Sequence, residues 1–272
     1  MTFETSDDVW FRRYPAARTP RVRLVCFPHA GGNAQLFHGW PHRLPGDVDV
    51  LAVRYPGRQE RMAEPCVESM DELAGSVAGA LAGYRDVPLA LFGHSMGAAV
   101  AYEVATRLEN DGDDLLHVFL SARNAPHRAP RTFLHRSADD VLLASVRRLG
   151  TLGGDPYGVP ELRELLLPVL RSDYRLIETY APQDPPRLRA PITAYVGAAD
   201  PGCDVERVAA WAELTVGGFD LRAFPGDHFY LAPKEAELTA DIAARLARPP
   251  RGLTASAIPA AQPAATTART AP

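Results

Sequence analysis

The chain has 272 residues, a formal net charge of −4 at pH 7 and 46% hydrophobic residues. That length allows one large domain or two small ones, and the apolar fraction excludes wholesale disorder. The mild acidity argues against a nucleic-acid binder, which carries a basic excess.

The ends narrow the class further. Met1 to Trp10 holds Glu4, Asp7 and Asp8 and no apolar core, so it does not read as a secretory signal. No run of 18 apolar residues occurs, and no membrane span is expected. Cys26, Cys66 and Cys203 are odd in number and lack metal-ligand spacing, which predicts a reduced, cytoplasmic protein without a bound metal. Cys26 sits in an apolar run and reads as a small buried hydrophobe. Residues 249–272 include eight Ala, five Pro and four Thr and no acid, and are expected to form a disordered tail. The expected folded body, 1–248, then carries 27 basic and 33 acidic residues, a net charge of −6.

Taken in order, the body alternates short apolar runs with helical patterns. Strands are predicted at Arg21–Phe27, Val48–Val53, Pro88–Phe92, Leu115–Leu120, Ile192–Val196 and Phe219–Phe224. Helices are predicted at Met70–Tyr84, Met96–Glu109, Val205–Glu213 and Leu231–Ala247. This alternation predicts an α/β fold, a mostly parallel sheet with helices on both faces. The rhythm breaks between Ala122 and Ala190, where no strand is convincing. Helices are predicted there at Ala138–Leu149, Glu161–Leu170 and Ser172–Thr179, with a Gly- and Pro-rich loop at Gly150–Pro160. Such an insertion is expected to be either a lid over a site or an extra packing layer.

One motif carries chemistry. Gly93-His94-Ser95-Met96-Gly97 is a G-x-S-x-G run, preceded by an apolar strand and followed by a helix-forming segment. A strand–turn–helix elbow of this kind projects a serine hydroxyl above the C-terminal edge of a sheet. The two glycines let strand and helix approach closely, and the helix N-terminus favours negative charge beside Ser95.

A serine hydroxyl needs a base. Of eight histidines, His228 lies just after the last predicted strand, where the chain order Ser…Asp/Glu…His puts it. His94 adjoins Ser95 and should point elsewhere, His117 falls inside a strand, and His38, His42, His127 and His135 lack a strand-end setting. The orienting carboxylate is expected at Asp200, which follows the strand at Ile192; Asp204 is its rival, and the Asp227 side chain should diverge from the histidine ring. An oxyanion would be held by the Met96 amide and a second amide from the loop after the first predicted strand, Ala30 first, with His29 or Gly31 as fallbacks.

The segments CFPHAGG (26–32), RYPGRQER (54–61), LFGHSMGA (91–98), YVGAADP (195–201) and FPGDHFYL (224–231) together resemble a type II thioesterase. These are α/β-hydrolase thioesterases that accompany modular polyketide synthases and nonribosomal peptide synthetases. The resemblance runs in order over about residues 10–247, and ELRELLLPVLRSDYRLIETY (161–180) is similar to the family's lid segment. It departs only at Ala198–Ala199 and Asp227, where the family varies, and it leaves the tail uncovered. The resemblance implies Ser95 as nucleophile, Asp200 as orienter, His228 as base and the amides of Ala30 and Met96 as oxyanion hole. It also implies a substrate held as a thioester on the phosphopantetheine arm of an acyl or peptidyl carrier protein, an editing role that frees stalled assembly lines, and no metal or bound cofactor.

Carrier domains are usually acidic, and so is this body. Docking should then fall to a local arginine patch, with Arg58, Arg61, Arg131 and Arg136 as candidates; these can equally be solvated or salt-bridged, and RYPGRQER can equally be a structural loop. A monomer is expected. Two other readings stay open: another serine esterase or chain-releasing acyltransferase of this fold, and a non-catalytic module that docks carriers.

Overall fold

A computed structural model describes residues 9–150 and 152–247. The expected tail, 249–272, lies outside the described residues. Seven strands form one sheet: β1 (Phe11–Tyr14), β2 (Val22–Phe27), β3 (Val48–Val53), β4 (Leu89–His94), β5 (His117–Ser121), β6 (Ile192–Gly197) and β7 (Phe219–Phe224). Their order is β1-β3-β2-β4-β5-β6-β7, with β1 antiparallel and the others parallel. All six predicted strands are present. The edge strand β1 was not expected: it is four residues long, holds two arginines and fully buries only Phe11.

The strand side chains alternate between two layers. Val25, Leu91, Val118 and Leu120 face α1 (Met70–Ala80) and α2 (Met96–Asn110). Leu24, Ala90, Phe92 and Phe119 face the other way, against Trp40 and the Leu238 and Ile242 side chains of α6 (Glu235–Leu246). With both faces covered, the central strands are apolar on most residues and read as nearly continuous runs; buried exceptions such as Arg23 and Asp49 pair with each other. Two predicted helices end in 3₁₀ turns: the first continues from α1 through Leu81–Tyr84, the other from α5 (Val205–Ala209) through Ala210–Leu214.

Strand order reverses at β2 and β4. The chain passes from β2 to β3 on one side, and β4 then returns to the other side of β2. The loops after β2 and β4 therefore diverge and leave a crevice at the carboxyl ends of the strands, where ligands bind in open α/β sheets.

The described residues of 122–190 contain no sheet strand; Leu188 makes a single bridge to Thr215. They hold α3 (Asp139–Leu149) and α4 (Pro160–Thr179). The two helices expected at 161–170 and 172–179 are one. It continues through Pro168 despite the missing N–H, because Leu167, Leu170, Leu176 and Ile177 on both sides of the proline are buried. Much of the insertion packs on a core of its own, built on Leu142, Leu143, Leu167 and Leu170 and touching Ala30. A core that small supports little local stability. Amides of α3 are expected to exchange with solvent at least tenfold faster than those of β4 under native conditions. Equal protection, read by mass spectrometry, would make the insertion a fixed layer.

Candidate active site

The site begins at the turn between β4 and α2. Ser95 has φ +55° and ψ −117°, a backbone conformation that L-residues rarely adopt. The surroundings enforce it. A Cβ on Gly93 would collide with the Gly97 carbonyl, and one on Gly97 would collide with the Phe27 carbonyl at the end of β2. The Ser95 amide donates to the Ser121 carbonyl of β5 (2.8 Å), which fixes the turn from the other side.

His228 and Asp200 arrive from the ends of β7 and β6. The Ala198 amide donates to the Phe224 carbonyl (2.8 Å) and the Ala199 amide to the Gly226 carbonyl (2.9 Å), so the two turns are clasped together. His228 Nε2 lies 2.9 Å from Ser95 Oγ, and His228 Nδ1 lies 2.7 Å from Asp200 Oδ2. The other carboxylate oxygen of Asp200 accepts the Gly202 amide (2.8 Å). The rivals are elsewhere. Asp204 caps α5 by accepting the Arg207 amide (3.1 Å), and Asp227 accepts the Phe229 amide (2.9 Å).

Burial would raise the Asp200 carboxyl. The hydrogen bond and electrostatic attraction to His228, the Gly202 amide and the Cys203 thiol outweigh burial and hold the group below the ordinary carboxylate range. Asp200, Cys203 and His228 are also the one cluster of three possible metal ligands among the described residues, with ligand atoms within 4.8 Å of one another. Burial and Asp200 push the Cys203 thiol up, so it stays protonated, and the carboxylate and imidazole already bind each other. That chemistry fits a hydrogen-bonded chain and not a cation.

Ala30 and Met96 line the same cavity of about 450 Å³ as Ser95 and His228. The neighbouring amides in the loop after β2 are engaged: Gly31 N–H donates to Asp173 (2.7 Å) and Gly32 N–H to the His29 carbonyl (2.9 Å). Gly31 therefore drops out as a fallback donor.

Several side chains take contacts that the sequence did not indicate. His94, at the end of β4, places Nδ1 2.8 Å from Ser121 Oγ, which lies 2.6 Å from the Tyr230 hydroxyl. This chain runs behind the serine. The lone signal for it was a histidine inside the elbow motif. Arg58 and Asp173 form a buried bidentate pair, both bonds at 2.7 Å, and Arg58 also donates to the Gly32 carbonyl (3.1 Å). Asp173 belongs to α4, so this pair ties the insertion to the loop that holds Ala30. Arg61 is buried as well, paired with Glu64 and stacked over Trp10. Both arginines are buried and paired, so of the two readings of RYPGRQER the structural loop holds and these two leave the docking patch; only Arg131 and Arg136 of the four are exposed.

An elbow serine bonded to a histidine and a buried aspartate, above a mostly parallel sheet, defines an α/β hydrolase of the serine type. A family model described as thioesterase domain matches residues 22–261. The chain is 41% identical over 258 residues to the thioesterase PikA5 of Streptomyces venezuelae, covering 90% of this chain and 92% of that protein. The type II thioesterase BorB from the borrelidin biosynthetic cluster is similar in structure, with a TM-score of 0.82 and 42% identity over 89% of this chain and all of that one. RedJ from the prodiginine pathway of Streptomyces coelicolor gives a TM-score of 0.78 and 40% identity, covering 85% of this chain and 88% of that one. The chain belongs to the thioesterase family, and within it to the type II enzymes, serine hydrolases acting on thioesters.

Two outcomes follow from the buried charges. Asp173→Ala leaves the Arg58 cation buried without its partner and should destabilise the fold by about 3–5 kcal/mol in denaturant titration. The second concerns pH. Burial, with the His228 and Arg58 charges, lowers His29 to about 3, and burial holds His94 well below its usual value. The unfolded chain takes up these protons near pH 6.5 while the folded chain does not, so stability is lost as pH falls from about 6.5 towards 3. His29 alone should cost about 2 kcal/mol between pH 7 and pH 5, and His29→Gln should flatten that slope.

Proposed function

We propose that this enzyme hydrolyses acyl groups from the phosphopantetheine arms of carrier proteins through an acyl-enzyme on Ser95. The observation that carries the reading is the hydrogen-bonded chain Ser95–His228–Asp200, at 2.9 and 2.7 Å, in a type II thioesterase. His228 Nε2 takes the hydroxyl proton as Ser95 Oγ attacks the thioester carbonyl. Asp200 holds the imidazole tautomer and stabilises the imidazolium. The amides of Ala30 and Met96 receive the oxyanion, as their place in the cavity wall supports. The C–S bond breaks and the arm leaves as a thiol, with the His228 proton available to it. Water, deprotonated by His228, then attacks the ester and releases the acid. The reaction needs no metal or bound cofactor.

The names of the relatives support a biosynthetic setting with acyl or peptidyl carriers as partners, where hydrolysis of a stalled acyl group restores a blocked carrier. Among the described residues, no helix is long and apolar enough to cross a membrane. We place the enzyme in the cytoplasm as a monomer, beside carriers of that compartment.

Loaded carrier protein and a simple ester of the same acyl group separate the readings. Release of free acid from the carrier is expected; faster turnover of the ester with the carrier left loaded would favour a general esterase. Ser95→Ala should lose fluorophosphonate labelling and at least 10³-fold in kcat. Asp200→Asn should cost 10²-fold or more and Asp204→Asn less than threefold; the reverse order would move the orienting role to Asp204.

A further inference from the structure

The folded body is acidic, yet the wall of its cavity is basic. The lining includes three arginines, Arg123, Arg131 and Arg148, and one carboxylate, Glu178. Glu178 is already engaged: it accepts from the Thr132 hydroxyl (2.6 Å), the amides of Leu134 (2.8 Å) and His135 (2.9 Å), and pairs with the His135 ring (2.5 Å). Among the described residues, none of the three guanidinium groups has an ion-pair or hydrogen-bond partner, although nearly every other described arginine with buried area has one.

Arg123 is held in place by its backbone. It follows Ala122, which takes φ +52° at the end of β5. The Arg123 carbonyl accepts the Trp211 indole N–H (2.8 Å). The next residue, Asn124, accepts the Asp204 amide (3.1 Å) and donates to the Gly202 carbonyl (3.4 Å), anchoring the segment to the turn that carries Asp200. A strained, pinned backbone thus carries a half-buried cation in the cavity wall, near Tyr174, Tyr180, Cys203 and the Glu178 carboxylate, and desolvation lowers its proton affinity. The nearby Glu178 carboxylate already accepts from four other donors, so the planar fork of Arg123 is left open to a two-oxygen acceptor. Arg131 and Arg148, also lining the cavity, are exposed to solvent.

We propose that Arg123, with Arg131 and Arg148, forms an anion-binding wall of the substrate cavity that receives a carboxylate or phosphodiester group of the substrate. This rests on the thioesterase reading above. The same oxyanion chemistry has two sources: a carboxyl on the acyl chain, or the phosphodiester of the carrier arm. A basic wall in an acidic protein concentrates such a group at the site, while the acidic remainder of the protein repels it elsewhere.

Four thioesters separate the sources: a neutral acyl group and its ω-carboxylated analogue, each on N-acetylcysteamine and on phosphopantetheine. The neutral N-acetylcysteamine thioester carries neither anion and reports thioesterase activity itself. If the wild-type enzyme hydrolyses none of the four, the proposed function fails, whatever the wall binds. For the wall, the readout is the kcat/KM ratio of an anionic substrate to the neutral one. Arg123→Gln should lower that ratio tenfold or more. A fall confined to the carboxylated acyl group assigns the wall to the acyl chain, and a fall confined to the phosphopantetheine thioesters assigns it to the arm. Ratios that stay within twofold of wild type for all three anionic substrates overturn the proposal. Binding gives a readout free of turnover. Glutarate and 4′-phosphopantetheine are titrated calorimetrically into the Ser95→Ala protein, with Arg131→Gln added as a second, exposed substitution. Binding of at least one, weakened fivefold or more by Arg131→Gln, is expected; binding of neither, or equal binding with and without the substitution, overturns the wall.

Discussion

The site depends on one close approach: the start of α2 lies against the carbonyl end of β2. Gly97 meets the Phe27 carbonyl and Gly93 meets the Gly97 carbonyl, with no room for a side chain at either position. That contact presses the elbow upward and holds Ser95 at positive φ. It also sets the loop after β2 beside the serine, which brings Ala30 and Met96 to one cavity wall. A serine on an ordinary strand end would point along the sheet face, away from both amides. The strain at residue 95 is sustained by the packing of the buried central strands on either side.

A second layer of order comes from charges taken out of water. The Arg58–Asp173 pair links α4 to the loop after β2, with Asp173 also accepting the Gly31 amide. A group on the insertion thus fixes a loop of the crevice that holds Ser95 and His228. The His94–Ser121–Tyr230 chain does similar work below the serine, joining β4, β5 and the segment after β7. These polar contacts lie deep in an apolar body, where each is costly to break. The same burial keeps His29 and His94 neutral and leaves His228, bonded to Asp200, as the imidazole that reaches the serine.

Charge is distributed unevenly in this protein. The acidic excess lies over the body, whereas the cavity carries unpaired arginines against a carboxylate that is already satisfied. Two of the arginines expected at a docking patch, Arg58 and Arg61, are structural and buried. The exposed ones, Arg131 and Arg136, belong to the insertion. The same insertion also lines the cavity that holds Ser95 and His228.

The sequence by itself determined the sheet, the elbow and the chain order of serine, aspartate and histidine. Those features are local: continuous apolar runs between turns, glycines flanking a serine, and a carboxylate and a histidine just past strand ends. The edge strand β1 escaped because four residues with two arginines carry little periodicity. The single helix α4 escaped because propensity at Pro168 argues against continuity, and buried leucines on both sides of it overrule propensity. Tertiary structure alone decided which arginines are buried, which loop amide is already used, and where cations gather without partners. Arg58 and Asp173 are 115 residues apart in sequence, and nothing in either neighbourhood announces the other. Pairing of that kind follows from what the fold removes from water, which no local pattern records.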